Sequence, residues 1–383
     1  MSNRIVLNER SYHGKCAREN VAIEIKERGF KKIFVVTDKA LIGAGVSDKV
    51  IDVLKSNNIE YTMFSEVKPN PTVSNVLEGL EMCKDYNADC IVAIGGGSVI
   101  DTAKAIGIIY NNPEFIDVVS LCGVADTKNP ALPIIALPTT SGTAAEVTIN
   151  YVITDEKTQT KMVCVDPHDI PIVAIIDSDL MASMPKSLAA ATGMDALTHA
   201  VEGYITKAAW KMTDMFHMEA IKLIFENLPK AVNEKDEKAI ENMALAQYIA
   251  GMGFSNVGLG IVHSMAHQLG AIYDTPHGIA NAILLPYVMK YNGEVCFERF
   301  REILIALGVD AKDFSKEEVI GKFVKMISDL SREVGIIQGV RDVGGKESDL
   351  EMLAEKAMND PCTPGNPRNP SKEDIIKIYT EAM

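Results

Sequence analysis

The sequence predicts an α/β domain built on a parallel sheet, residues 1–185, followed by an all-α domain, residues 186–383. Three observations predict it. In the first half, short Val- and Ile-rich runs alternate with helical stretches, the βαβ pattern of a parallel sheet. After Met184-Pro185-Lys186, which reads as a helix N-terminus, strand-like runs largely vanish, and Ala, Leu, Met, Glu and Lys follow with helical periodicity to Met383. Glycine- and hydroxyl-rich turns fall in the first half, whereas paired histidines fall in the second.

Strands are expected at residues 4–7, 33–37, 91–94, 133–137 and 173–176. The first, Arg4-Ile5-Val6-Leu7, suits pairing with a second copy across a two-fold axis. The second runs into Thr37-Asp38-Lys39. A carboxylate at a strand's C-terminal end binds a ribose 2′-hydroxyl and repels a 2′-phosphate, so Asp38 favours NAD over NADP. The first βα turn has no GxGxxG, so the usual dinucleotide fingerprint is absent.

The third strand leads into Gly95-Gly96-Gly97-Ser98, and Val99 to Tyr110 is helical in character. Strand, glycine turn and helix start together present bare N–H groups and a positive helix end to a phosphate. Ser98 is the expected N-cap, with Asp101 closing a capping-box-like arrangement. The fourth strand enters Thr139-Thr140-Ser141-Gly142-Thr143 and then, by the same pattern, a helix. Its hydroxyls and N–H groups suit phosphate, ribose or the nicotinamide amide. Each turn alone also reads as a plain capped turn. Three of them agree with binding at the carboxyl ends of a sheet's strands, the mark of a Rossmann-like dinucleotide-binding domain.

The helical half carries the metal-type residues. Asp195 and His199 stand four apart on one helix face, His263 and His267 repeat that spacing, and His277 follows Pro276. One carboxylate with imidazoles suits Fe(II) or Zn(II) and not Mg or Ca. Neither histidine pair encloses the Glu of HExxH, which argues against a zincin-type peptidase. The Pro-rich stretch 361–370 is the one long irregular piece, a connector or a flap. A cleft between the halves is the expected meeting place of dinucleotide and metal-held substrate.

A chain of 383 residues with 47% hydrophobic and 23% charged residues has room for two cores. A formal charge of −14 disfavours nucleic acid and anionic membrane as partners. Seven scattered cysteines show no disulfide or CxxC pattern, and the N-terminus has no signal-peptide core, so a cytoplasmic protein is expected.

Four segments carry a family likeness across essentially the whole chain: Gly95 to Asp101, Pro138 to Glu146, Ala190 to Glu202 and Gly258 to Gly270. They resemble the iron-containing (group III) alcohol dehydrogenases. The resemblance implies an NAD(H)-linked oxidoreductase moving hydride between cofactor and a carbonyl polarised by a metal. By that resemblance Asp195, His199, His263 and His277 are the ligands of Fe(2+), or of Zn(2+) in some members. His267 matches a histidine near the nicotinamide that assists proton transfer. Gly95, Gly96, Gly97 and Ser98 match the pyrophosphate turn and Asp38 the adenosine-ribose contact. Thr139, Thr140 and Thr143 match a turn along the dinucleotide, with Asn70, Asn150 and Lys161 also on the cofactor side. Phe254 and Cys362 match substrate-pocket positions, which makes the Pro-rich stretch a flap.

Ser141 stands where many relatives have Ala, and Val99-Ile100 where near ones have Pro-Gln; neither removes a ligand. Segments outside the shared motifs, Val147 to Asp155, Val163 to Pro171 and Ala250 to Gly260, resemble members that interconvert lactaldehyde and 1,2-propanediol. A small aldehyde or alcohol is therefore the expected substrate, with 1,3-propanediol, butanol or another primary alcohol as alternatives. The resemblance also implies a homo-oligomer, a dimer first. A dehydroquinate-synthase-like lyase needs basic residues for a phosphorylated substrate, and segments 195–202 and 258–280 contain no Lys or Arg. A non-enzymatic metal- or nucleotide-binding protein is the remaining alternative.

Overall fold

The computed structural model describes residues 2–158 and 160–383. The chain forms two compact units, Met1–Met184 and Pro185–Met383.

In the first unit the strands are β1 (Arg10–His13), β2 (Ile33–Val36), β3 (Tyr61–Phe64), β4 (Cys90–Gly95), β5 (Gly123–Val124), β6 (Ile134–Pro138), β7 (Asn150–Asp155), β8 (Thr160–Val165) and β9 (Val173–Ile176). Its helices are α1 (Asn20–Arg28), α2 (Lys39–Gly43), α3 (Asp48–Ser56), α4 (Val73–Tyr86), α5 (Gly97–Asn111) and α6 (Ser178–Met181). Six strands form one sheet in the order β1-β9-β6-β4-β2-β3, every pair parallel. A parallel sheet needs apolar cover on both faces, and alternate residues supply it. Phe34, Val36, Ile91, Ala93, Ile134 and Ala136 join the core under α4 and α5. Ile33, Val35, Cys90, Val92, Ile135 and Val173 join the core under α1 and α3.

Leaving β1 aside, the connection order reads 5-4-3-1-2 across the sheet, a doubly wound arrangement. Its direction of winding reverses between β2 and β4, the place where such sheets bind ligands beyond their strand ends. Asp38 follows β2 and the Gly95–Ser98 turn ends β4, so these two predicted cofactor positions flank the reversal.

Several expectations need correction. Residues 4–7 lie in no strand; the edge strand is Arg10–His13, in parallel register with β9. Asn8 holds the preceding segment instead, its amide donating to the carbonyls of Glu146 at 2.8 Å and Pro171 at 2.7 Å. The apolar alternation of Ile5 and Leu7 mimics a strand, but the ladder bonds go to the more polar residues after it. The stretch after Thr143 does not become an α-helix. Ala144 is left-handed at φ 52°, and only a short 3₁₀ turn, Ala145–Val147, precedes β7. β7 pairs antiparallel with β8 and β5 pairs parallel with β8, a second, three-stranded sheet that period and composition did not reveal.

Lys104 of α5 fastens this sheet to the helix. Its fully buried ammonium donates to Thr148 Oγ1 at 3.1 Å and to the Asn150 carbonyl at 2.9 Å, and lies 3.5 Å from Asp169 Oδ1. A buried charge is costly unless partnered, so these groups lock the start of β7 to α5. Burial pushes the Asp169 carboxyl up to about 8, against the opposing pull of Lys104.

The second unit holds α7 (Lys186–Ile205), α8 (Lys211–Asn233), α9 (Glu237–Val257), α10 (Ile261–Tyr273), α11 (His277–Ala306), α12 (Lys316–Glu333), α13 (Leu350–Met358) and α14 (Lys372–Glu381). No strand occurs among its described residues, in accord with the helical periodicity after Pro185. No single described helix is long and apolar enough to cross a membrane.

Candidate active site

The cofactor-type residues of the first unit gather around the start of α5. Its N-cap is Gly96, not Ser98, and its first helical residue is Gly97. A Cβ on Gly97 would come within 2.8 Å of Thr143 Cγ2, and one on Gly96 within 3.3 Å of Thr140 Cγ2. The two predicted turns are thus in contact, and only glycine permits it. The Ser98 hydroxyl donates to the Pro69 carbonyl, which ties down the loop bearing Asn70. That loop reaches β7 as well, because Thr154 N donates to the Pro71 carbonyl at 2.7 Å. Thr154 stands opposite Lys161 in the β7–β8 register. Asp101 closes no capping box; its Oδ2 accepts from Val152 N at 3.1 Å. The loop bearing Asn70 is thus tied both to the Gly95–Ser98 turn and to the strand opposite Lys161, while Asn150 is joined to α5 through Lys104. Asp38 caps α2, its Oδ1 accepting from Leu41 N at 2.9 Å.

In the second unit, three helices carry the metal-type residues. Asp195, His199 and Glu202 share one face of α7, His263 and His267 lie on α10, and His277 opens α11 behind Pro276. A Cβ on Gly278 would fall 2.1 Å from the Ala191 carbonyl oxygen, so glycine is what lets the start of α11 press against α7. Asp195, His199, His263 and His277 each offer one ligand atom, and the four atoms lie within 4.8 Å of one another. The first three are buried, while the His277 side chain is 34% exposed, so the group opens to one side.

A metal ion fits this group, as Asn281 demonstrates. Its Nδ2 lies 2.7 Å from Asp195 Oδ1 and 3.2 Å from both His263 Nε2 and His277 Nε2. An amide has two hydrogens for these three acceptors. Its own Oδ1 is buried without a hydrogen-bond partner. The lone pairs converge on one small volume that a donor group serves poorly and a divalent cation serves fully.

Glu202 orients the ligands. Its Oε2 accepts from His263 Nδ1 at 2.6 Å, and its Oε1 accepts from Val262 N at 2.7 Å at the start of α10. Burial pushes the Glu202 carboxyl up to about 8, opposed by the amides of Val262, Gly260 and His263. Burial also holds His263 well below the usual imidazole range, with His199, His277 and His267 adding to the effect. With Nδ1–H donated to Glu202, the Nε2 lone pair of His263 is left for a metal. His199 is stacked between Phe254, centroids 4.2 Å apart, and His263, at 4.6 Å.

His267 stands beside the four. Its Nδ1 is 2.8 Å from Asp360 Oδ2, and its ring stacks on His277 with centroids 5.5 Å apart. Burial would raise Asp360, but the His267 charge and bonds from Cys362 hold it below the usual carboxylate value. Burial keeps the Cys362 thiol well above the ordinary thiol range, protonated at neutral pH. The Pro-rich stretch is pinned here rather than loose. Thr363 Oγ1 donates to the Ala357 carbonyl at 2.6 Å, and Asn366 and Asn292 exchange side-chain bonds at 2.8 and 2.9 Å. These bonds hold the stretch that bears Cys362 against α10, α11 and α13.

Sequence reasoning missed Glu202, Asn281 and Asp360. Glu202 and Asn281 had a signal, three residues after His199 and four after His277 on the same helix faces. Asp360 had none, since its partner is 93 residues away. His217, buried between Gly203 and Gly253, stays outside the ligand group, and burial lowers it to about 3, hence neutral.

Comparison with known proteins places this arrangement. Residues 8–178 match the model of iron-containing alcohol dehydrogenases, and residues 189–383 match the C-terminal model of the Fe-containing alcohol dehydrogenase family. The chain belongs to the iron-containing alcohol dehydrogenases. It is 53% identical to lactaldehyde reductase of Escherichia coli over 100% of both chains. A crystal structure of 1,3-propanediol oxidoreductase superposes with a TM-score of 0.96 at 41% identity, covering 100% of each chain. Sulfoacetaldehyde reductase from Bifidobacterium kashiwanohense, solved in complex with NAD+, superposes with a TM-score of 0.88 at 28% identity, covering 100% of this chain and 99% of that one. As a member of the family, the protein is an NAD-dependent oxidoreductase acting on CH–OH groups, with NAD(H) and iron as its cofactors.

The brace on His263 generates a prediction. Glu202→Gln removes the carboxyl partner of His263 Nδ1 while keeping the shape of the side chain. Metal affinity of this alcohol dehydrogenase should fall about 10- to 100-fold. Competition with a chelator of known affinity, followed by metal analysis, measures it; unchanged affinity removes Glu202 from the metal centre.

Proposed function

We propose that the enzyme interconverts lactaldehyde and 1,2-propanediol, with unit Met1–Met184 holding NAD(H) and unit Pro185–Met383 holding the metal and the substrate. The observation that carries the chemistry is the convergence of Asp195, His199, His263 and His277 beside the His267–Asp360 pair. The observation that favours the substrate is 53% identity over the whole length to lactaldehyde reductase.

Asp195, His199, His263 and His277 would hold Fe(II), and their donor set also suits Zn(II). When bound, the ion supplies a Lewis acid and the dinucleotide supplies or accepts the hydride. Glu202 keeps His263 in the ligating tautomer. Asp360 accepts from His267 Nδ1 and turns Nε2 outward, where it gives a proton to the nascent alkoxide in reduction and takes it back in oxidation. Phe254, packed on His199, and Cys362, on the pinned loop, line the substrate side. In the first unit Asp38 takes the adenosine ribose. The bare amides of Gly95 to Ser98 take the pyrophosphate, and Asn70, Thr139, Thr140, Thr143, Asn150 and Lys161 take the rest of the cofactor.

A second reading, oxidation of 1,3-propanediol, is favoured by the TM-score of 0.96 to a 1,3-propanediol oxidoreductase. Anaerobic NADH oxidation by Fe(II)-loaded enzyme separates the two, comparing kcat/KM for lactaldehyde, 3-hydroxypropanal, dihydroxyacetone and butanal. A preference for lactaldehyde is expected; a profile led by 3-hydroxypropanal or butanal withdraws that substrate.

His267→Ala should retain metal and lose about 10²- to 10⁴-fold in kcat. Loss of metal together with activity would make His267 a ligand. Asp38→Gly should let NADPH support turnover that the wild type performs with NADH alone. Equal rates with both cofactors in the wild type would remove Asp38 from cofactor choice.

A further inference from the structure

Beside the four-ligand centre lies a second group of metal-type donors. His267, Asp360 and Cys362 each offer one ligand atom, and these three atoms lie within 4.8 Å of one another. The donors differ in kind: an imidazole nitrogen, a carboxylate oxygen and a thiol sulfur. Sulfur separates this group from the first centre, which contains none. Imidazole with thiolate selects a borderline or soft ion such as Zn(II) and rejects Mg and Ca.

The three donors are held in place before any ion arrives. Cys362 N donates to Asp360 Oδ1 at 2.9 Å, which fixes the Asp-x-Cys turn. Thr363 Oγ1 anchors the next residue to the Ala357 carbonyl at 2.6 Å. Asp360 Oδ2 already faces His267 Nδ1 at 2.8 Å. Little chain entropy is lost on binding, and the fourth position is left to water.

We propose that His267, Asp360 and Cys362 form a second, inhibitory site for a thiophilic divalent cation, Zn(II), that disables His267 as a proton carrier. The inhibitory part rests on the reading of His267 given above. Binding replaces the Nδ1–H to Asp360 bond with metal bonds to both partners; the Nδ1 proton passes through solvent to Nε2, and the Cys362 thiol releases its proton to solvent. Thiolate and carboxylate then balance the two positive charges of the ion. A neutral imidazole with metal on Nδ1 carries its one proton on Nε2. That nitrogen has no lone pair left to accept a proton in alcohol oxidation, and donating its proton in aldehyde reduction would leave an unfavourable imidazolate. Hydride transfer is then starved of its proton partner in both directions.

Cobalt distinguishes the two sites. Holoenzyme with spectroscopically silent Zn(II) in the four-ligand centre is titrated anaerobically with Co(II). A further equivalent should bind with a near-ultraviolet sulfur-to-cobalt charge-transfer band, and both should be lost in Cys362→Ser and weakened in Asp360→Asn. Exchange into the first centre yields ligand-field bands alone, because that set has no sulfur. No such band, or a band that survives Cys362→Ser and so belongs to another cysteine, overturns the site. In parallel, Fe(II) holoenzyme is assayed with added Zn(II), with its iron content measured before and after. The expected result is inhibition at constant iron, reversed by a weak chelator, with NADH affinity unchanged. Cobalt binding through Cys362 without inhibition by Zn(II) overturns the inhibitory role and the reading of His267 together, while leaving the ligand geometry intact.

Discussion

One carboxylate, Glu202, joins the parts on which the metal-type centre depends. It reaches from α7 to the first turn of α10, where Val262 N and His263 Nδ1 both donate to it. The first amides of a helix have no partners inside it, and here Glu202 and Asn366 supply them from elsewhere in the chain. The same bond that caps α10 sets the tautomer of His263, so helix placement and ligand chemistry are solved by one group. Removing it would free the helix end and the imidazole at once.

Around that brace the donor set is compact enough that a polar side chain cannot satisfy it. Asn281 offers two hydrogens to three acceptors and leaves its own oxygen unserved. Frustration of this kind in a buried place marks a group shaped for a cation rather than for its own stability. Close approach of α11 to α7, possible only because residue 278 lacks a side chain, brings His277 within reach while keeping it partly open. His267 and Asp360 then stand next to the opening, on one helix and one pinned loop.

The first unit achieves its geometry differently, through backbone contact. Gly96 and Gly97 meet Thr140 and Thr143 directly, and Lys104 spends a buried charge on the strand that begins at Asn150. Sheet order puts the reversal of winding between β2 and β4, so the acidic strand end and the glycine turn become neighbours without any sequence proximity.

Local pattern alone determined the α/β and all-α halves, four of the expected strands, the glycine turn and the cluster of metal-type residues Asp195, His199, His263, His267 and His277, of which the family resemblance singled out four as ligands. Each of these rests on periods of two or of three to four residues, or on residue types whose chemistry is narrow. Tertiary structure decided what depends on partners far along the chain. It moved the first strand from residues 4–7 to Arg10–His13, because only the latter meets β9. It turned the expected helix after Thr143 into a hairpin, since a left-handed Ala144 ends the turn. It recruited Asp360 to His267 across 93 residues. A side chain's neighbours in space are fixed by packing of whole elements, and no spacing along the sequence encodes them.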